Sequence, residues 1–206
     1  MIQTAYICET LGVFEGRAIA YGYVPCKGGN YTGVGSWEGK TVYGVSGVTI
    51  GTGVDLGQQS ADRLRSMGVH PSLVDKLAPY CGLRKEAALK KLAAAPLTLT
   101  PEEVTALDAA VKTRYIDDTA TRFGRDAFEK APKQVQAVAT SLIYQFGSPA
   151  NAASPSLTLA WKAMQGGNYP AAAGFLRNDS GWSPSHQQYM DRRRQEAALL
   201  DQIRSA

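Results

Sequence analysis

From residue 44 to residue 57 the chain reads Gly-Val-Ser-Gly-Val-Thr-Ile-Gly-Thr-Gly-Val-Asp-Leu-Gly, five glycines threaded through β-branched residues. A helix does not tolerate that density, because each interior glycine costs about 1 kcal/mol relative to alanine. β-Branched side chains instead suit a pleated surface, and glycines between them mark turns. The stretch Gly44 to Asp55 is therefore expected to form short strands with tight reversals. Tyr21-Gly-Tyr-Val-Pro25 reads as an earlier strand of the same small lobe. Between the two, Cys26 to Tyr43 carries Lys27-Gly-Gly-Asn and Trp37-Glu-Gly-Lys, the composition of a long hairpin or surface insertion.

Everything around this segment has a different texture. Thr4 to Phe14 suits a short N-terminal helix with Glu15-Gly16 near its end, and after Gly57 the chain turns helical. Short candidates run from Ser60 to Met67, Ser72 to Leu77 and Leu83 to Ala94. Thr100-Pro101-Glu102-Glu103 is a strong helix start: Thr100 can cap the first amides, proline suits the first turn, and Glu103 closes a capping box. Val104, Leu107, Val111 and Tyr115 then repeat at three- and four-residue spacing, the mark of one buried stripe. Pro132 to Phe146 is the most apolar helical segment and is expected to be the central core helix. Leu157 to Met164, Pro170 to Phe175 and a last helix from Pro184 or Ser185 to Ile203 complete the series. The fold class is thus α+β, a small β-containing lobe over residues 16–58 and a helical body over 60–206, with a groove expected between them.

Composition narrows the possibilities. At 206 residues the chain is sized for one full domain. Lys and Arg total 22 against 18 Asp and Glu, a net charge of +4. That is too mild for a nucleic-acid reading, yet of the right sign for an anionic polymer such as a cell wall. Up to residue 60 there are three basic residues (Arg17, Lys27, Lys40) against four acidic ones, so the excess positive charge lies in the helical body. No apolar run approaches the roughly 18 residues of a membrane span, so no membrane insertion is expected. The N-terminus lacks a basic leader region and Glu9 interrupts its apolar stretch, so no cleaved signal peptide is expected either. The protein is expected to be made in the cytoplasm and, if it acts outside, to be released or delivered by another agent. Cys8, Cys26 and Cys81 are odd in number and widely spaced, which favours free thiols over a disulfide framework or zinc site.

The catalytic repertoire is also small. With only His70 and His186, multi-histidine metal sites are excluded, and neither H-E-x-x-H, C-x-x-C nor G-x-S-x-G occurs. Gly39-Lys40-Thr41 suggests a phosphate loop, but Val34 stands where that loop needs its first glycine, and a strand rather than a helix follows. No metal or cofactor is expected. What remains is a pair of carboxylates. Glu15 precedes Gly16 at the end of the first helical segment, and Asp55 closes the glycine-rich turn after Thr49. Glycines 51 and 53 permit a reversal that turns Thr49 and Asp55 toward one cleft. Two carboxyl groups in different surroundings suit acetal hydrolysis, one protonating the leaving oxygen and the other activating the attacking species. On chemistry alone, Asp55 as a helix cap and Glu15 as an exposed end residue are the plainer readings.

The order Glu15-Gly16, Tyr21-Gly-Tyr-Val-Pro25, then Ser46-Gly-Val-Thr-Ile-Gly-Thr-Gly-Val-Asp-Leu-Gly-Gln58 resembles the catalytic part of pesticin-type muramidases, within the bacteriophage T4-lysozyme-like group. That group pairs a glutamate-glycine with a hairpin carrying Thr-Ile-Gly-x-Gly, here Thr49 to Gly53, and its pesticin-type branch adds an aspartate, here Asp55. Ser141-Leu-Ile-Tyr-Gln-Phe-Gly147, Trp161, Gly166-Gly-Asn-Tyr and Arg192-Arg-Arg-Gln-Glu-Ala are similar to its later part. The resemblance implies a single lysozyme-like catalytic domain over residues 1–206. It implies Glu15 as general acid, Asp55 as the group that orients or deprotonates water, and Thr49 as a partner holding that water. The implied substrate is bacterial peptidoglycan, cut at the β-1,4 bond between N-acetylmuramic acid and N-acetylglucosamine, with inversion. Biologically it implies a phage-type endolysin or a delivered antibacterial toxin, the latter with an immunity protein or secretion-system carrier as partner.

Cys26 to Tyr43 is longer than the family pattern and leaves Glu38 and Glu9 as competing acids; Glu15 is preferred for its glycine partner and upstream position. Tyr21, Tyr23, Trp37 and Tyr43 are candidates to stack on sugar rings, against the plainer reading of aromatics as core. Gln58 and Gln145 can reach substrate amides, although helix-end hydrogen bonding is the preferred role for Gln145. Arg192, Arg193 and Arg194 point different ways around a helix, so one is expected to pair internally while the others meet solvent or wall polymer.

Overall fold

In the computed structural model, which describes residues 1–16, 18–147, 154–179 and 187–203, the glycine-rich segment and an earlier strand form an antiparallel sheet ordered β1-β2-β3. The strands are β1 (Ile19–Tyr23), β2 (Thr49–Gly51) and β3 (Val54–Asp55). Strand β1 starts earlier than the Tyr21 boundary expected, and residues 44–48 approach the sheet without joining a strand. The helices are α1 (Thr4–Glu15), α2 (Ala61–Ser66), α3 (Pro71–Leu77), α4 (Glu86–Ala94), α5 (Pro101–Phe123), α6 (Arg125–Lys130), α7 (Lys133–Phe146), α8 (Pro155–Gln165), α9 (Tyr169–Arg177) and α10 (Gln187–Asp201). The architecture is α+β, as expected. The start expected for the last helix, at Pro184 or Ser185, lies outside the described residues, as does His186.

The chain groups into two compact units, Glu15–Arg114 and a second made of Met1–Phe14 with Tyr115–Ala206. Helices α2 to α4 and the first half of α5 therefore belong with the sheet. One face of that sheet is apolar: Gly22, Ile50 and Val54 are buried. Gly22 has no room for a side chain, since a Cβ there would lie 3.0 Å from Val48 and 3.1 Å from Leu97. The backbone of β1 thus sits directly on its neighbours, bonded through Gly22 N–H to the Leu97 carbonyl at 2.8 Å.

The Cys26–Tyr43 segment is a loop pinned at its base, not a regular hairpin. Isolated bridges pair Val24 with Tyr31 and Cys26 with Val42. It feeds the core: Cys26 and Tyr31 are buried, and the Tyr31 hydroxyl donates to the Gly35 carbonyl at 3.1 Å. At Gly33 the loop lies so close to α4 that a Cβ would meet the Leu92 carbonyl oxygen at 2.8 Å. The three cysteines are free thiols. The capping box at α5 is present in full, with Glu103 N–H donating to Thr100 Oγ1 at 3.2 Å and Thr100 N–H to Glu103 Oε2 at 2.8 Å.

In the second unit α7 is the central helix, as its composition predicts: every residue from Val135 to Ile143 is buried. Its polar members find partners. Gln136 donates to the carbonyls of Phe128 and Ala131 at 2.9 and 3.1 Å and accepts from Gln3 N–H at 2.8 Å. Around it gather Ile7, Leu11, Phe123, Phe128, Leu157, Trp161, Leu176 and Leu200. Helix α10 adds a buried ionic cluster. Arg193 and Glu196 are both fully buried and 2.7 Å apart, and Arg192 donates to Ser141 Oγ at 2.9 Å. Two of the three arginines therefore pair inside, where one was expected, because Glu196 follows both at helical spacing (i+3 and i+4) and draws them to the same side. Arg194 alone stays exposed, paired with Asp191 at 3.1 Å.

Candidate active site

The site is built on the β2–β3 reversal. Its register places Thr49 opposite Asp55 and Ile50 opposite Val54. Partners across an antiparallel pair share a face. With Ile50 and Val54 committed to the apolar side, Thr49 and Asp55 emerge together on the other. Strand β1 extends the row, because Tyr23 is the partner of Thr49. One line across the sheet thus reads Tyr23, Thr49, Asp55.

Glu15, the last residue of α1, belongs to the same compact unit as the hairpin. Its carboxylate reaches the turn: a Cβ at Gly53 would lie 3.2 Å from Glu15 Oε2. Gly53 has φ +88° and Gly51 φ +65°, a left-handed conformation that glycine adopts without strain. Together the glycines permit the reversal and leave space for the acid beside it. Glu15 and Asp55 are half-buried, and Thr49 is buried.

Asp55 is held as an acceptor. Its Oδ1 takes the N–H groups of Gly47 at 3.0 Å and Gly57 at 2.8 Å. The Gly57 bond caps the 3₁₀ turn Leu56–Gln58, so the capping role open from sequence is real and coexists with the hairpin position. Burial nevertheless raises the Asp55 carboxyl above the ordinary aspartate value, against the lowering effect of the two N–H donors, the Gln58 side chain and the Arg84 charge. A base with a raised pKa removes a proton more readily, provided it stays ionised at working pH. Two N–H donors on one oxygen favour that ionised form. The Tyr23 phenol is also pushed up, first by burial and then by the charges of Glu15 and Asp55.

The remaining candidates fall less centrally. Tyr21 and Tyr43 are exposed, and Trp37 is half-buried with Lys90 Nζ 5.1 Å from its ring centre. Gln58 accepts from Arg84 Nη2 at 2.9 Å and is hydrogen-bonded to Asp55, which makes it a support of the aspartate. Gln145 lies in the other unit and accepts from Arg193 Nη2 at 2.5 Å, tying α7 to α10. Glu38 is exposed, with its N–H bonded to Ser36 Oγ at 3.1 Å.

Two supporting residues escape a reading of the sequence. Arg84 Nε donates to the Gly57 carbonyl at 2.9 Å and lowers the Asp55 pKa from there. Asp108, buried on α5, accepts the Thr52 N–H at 3.1 Å and so anchors the tip of the hairpin. Its only signal in the sequence is an acid beside the apolar stripe, between Leu107 and Val111. Among the described residues no group of three His, Cys, Asp or Glu could hold a metal ion, and no helix is long and apolar enough to cross a membrane.

A small antiparallel sheet carrying an acid-bearing hairpin, joined to a large helical part, defines an α+β protein of the lysozyme-like class. No curated protein matches the chain. The model of the pesticin family, described as "Bacterial toxin homologue of phage lysozyme, C-term", matches residues 9–165 of the 206, and the chain belongs to that family. Family and fold together support a glycosidase that acts on peptidoglycan.

Proposed function

We propose that the protein is an N-acetylmuramidase, hydrolysing the β-1,4 bond between N-acetylmuramic acid and N-acetylglucosamine in one inverting step. The observation that carries this reading is the register pairing of Thr49 with Asp55, on a hairpin whose turn at Gly53 approaches the Glu15 carboxylate. Glu15 protonates the glycosidic oxygen as the bond lengthens. Asp55, anchored by the Gly47 and Gly57 N–H groups, accepts a proton from the attacking water. Thr49 Oγ1 holds that water beside Asp55. An inverting site keeps its carboxyls about 6.5–9.5 Å apart so that water fits between sugar and base.

The substrate is an anionic wall polymer, which the excess positive charge suits. As a phage-type endolysin the protein reaches the wall on lysis; as an antibacterial toxin it is carried there by a secretion system, and a cognate immunity protein protects the producer. Mass analysis of digested peptidoglycan tests the chemistry. New reducing ends on N-acetylmuramic acid are expected. Reducing N-acetylglucosamine ends indicate a glucosaminidase instead, new amines an amidase or peptidase, and an unchanged digest a glycan-binding relative without turnover.

A further inference from the structure

The Tyr23–Thr49–Asp55 row has one member that the acid–base scheme leaves idle. The β1–β2 register is irregular between Ile19 and Tyr23, but Tyr23 itself pairs with Thr49, and Gly22 beside it is buried against Val48 and Leu97, which leaves Tyr23 on the face that carries Thr49 and Asp55. We propose that the Tyr23 hydroxyl donates the hydrogen bond that orients the hydrolytic water between Thr49 and Asp55. The inference rests on the muramidase reading above and adds a residue to it.

A count of protons carries the argument. A water molecule offers two hydrogens and two lone pairs. One hydrogen goes to Asp55, which is acceptor-only when ionised. Thr49 is buried, and its hydroxyl hydrogen is directed at the Gly47 carbonyl at 3.5 Å, which leaves Oγ1 as an acceptor for the second hydrogen. Asp55 and Thr49 so used fix both hydrogens and neither lone pair. One lone pair must face the sugar carbon. The other needs a donor, and Tyr23 is next in the row. Burial acts on the phenol first, and the charges of Glu15 and Asp55 act in the same direction. In that negative, half-buried setting it keeps its proton and serves as a donor throughout the range in which a carboxylate can work as base.

The geometry also separates this role from sugar stacking. A ring that stacks on substrate acts through its face, and phenylalanine replaces it well. A hydroxyl that aligns water acts in the chemical step, and phenylalanine does not. Tyr23→Phe should therefore lower kcat for release of reducing sugar about tenfold, the equivalent of one hydrogen bond of about 1.4 kcal/mol. KM and the urea unfolding midpoint should stay unchanged.

Azide distinguishes water positioning from general damage to the site. In Asp55→Ala, azide can replace water and attack without a base or a donor, giving a glycosyl azide. Adding Tyr23→Phe to Asp55→Ala should leave that azide reaction within twofold. A wild-type kcat in Tyr23→Phe, a loss confined to KM, or an equal loss in the azide reaction overturns the inference while leaving the muramidase reading intact. Failure of the unmodified protein to form reducing ends overturns that reading, and this inference with it.

Discussion

Gly51→Ala and Gly53→Ala occupy one turn, and the structure assigns them different consequences. At Gly51 the backbone has φ +65°, and a Cβ would lie 2.6 Å from Asp108 Oδ1. That oxygen cannot simply move aside, since Asp108 is buried and the same atom accepts the Thr52 N–H at 3.1 Å. Left-handed backbone costs a non-glycine residue about 1–2 kcal/mol. A hydrogen bond to a charged group contributes about 1.5–3 kcal/mol. Gly51→Ala should therefore destabilise the fold by about 2.5–5 kcal/mol, the combination of those two effects. Gly53 has φ +88°, but its one close neighbour among the described residues is the end of a side chain, Glu15 Oε2 at 3.2 Å. Gly53→Ala should cost only the backbone penalty of about 1–2 kcal/mol. It displaces the acid, so its activity loss per folded molecule should be the larger part of its phenotype. Urea unfolding measures the first effect and reducing-sugar release by folded protein the second. Equal stability losses, or a Gly51→Ala cost below about 1 kcal/mol, refute the proposed anchoring by Asp108.

Other predictions follow from charge. Arg84 lowers the Asp55 pKa, so Arg84→Gln should raise it further. Asp55 must be ionised to act as base, so the acid limb of kcat/KM should move to higher pH in this variant; an unmoved limb separates Arg84 from the site. In the buried cluster, Arg193→Met leaves Glu196 with a charge that Arg192 alone must balance. Removing one partner of a buried pair typically costs about 3–5 kcal/mol. Arg194→Ala, which breaks only the exposed contact with Asp191, should change stability by less than about 1 kcal/mol. Urea midpoints of the two variants compare these costs directly, and equal values contradict a structural role for the internal pair.

What could be read in the sequence was local. Glycine spacing identifies the hairpin because it is a backbone constraint, legible without knowing any partner. The α5 start is legible for the same reason, since Thr100 and Glu103 satisfy each other within four residues. Helix α6 escapes: it spans only Arg125–Lys130 and follows Gly124 at φ +92°, too short to show a period. The Cys26–Tyr43 loop reads as a long hairpin or surface insertion, because its polar glycines dominate while single residues, Cys26 and Tyr31, enter the core.

At the site the distinction is the same. Thr49 and Asp55 lie on one short hairpin, so their meeting follows from the turn. Arg84 reaches the turn that follows this hairpin and Asp108 reaches its tip, through contacts 27 and 56 residues apart in sequence. No periodicity encodes those distances. The pairing of Arg192 and Arg193 with Glu196 is of mixed kind. Its spacing is visible in the chain, but burial selects which side of the helix matters.

Acid catalysis by Glu15 is tested most directly by the rate at which Glu15→Gln releases reducing sugar from purified peptidoglycan, measured on folded protein. Glutamine keeps the shape of the side chain and cannot deliver the proton, and a fall of about 10²–10⁴-fold is expected. A rate equal to that of the unaltered protein would mean that the proton comes from elsewhere.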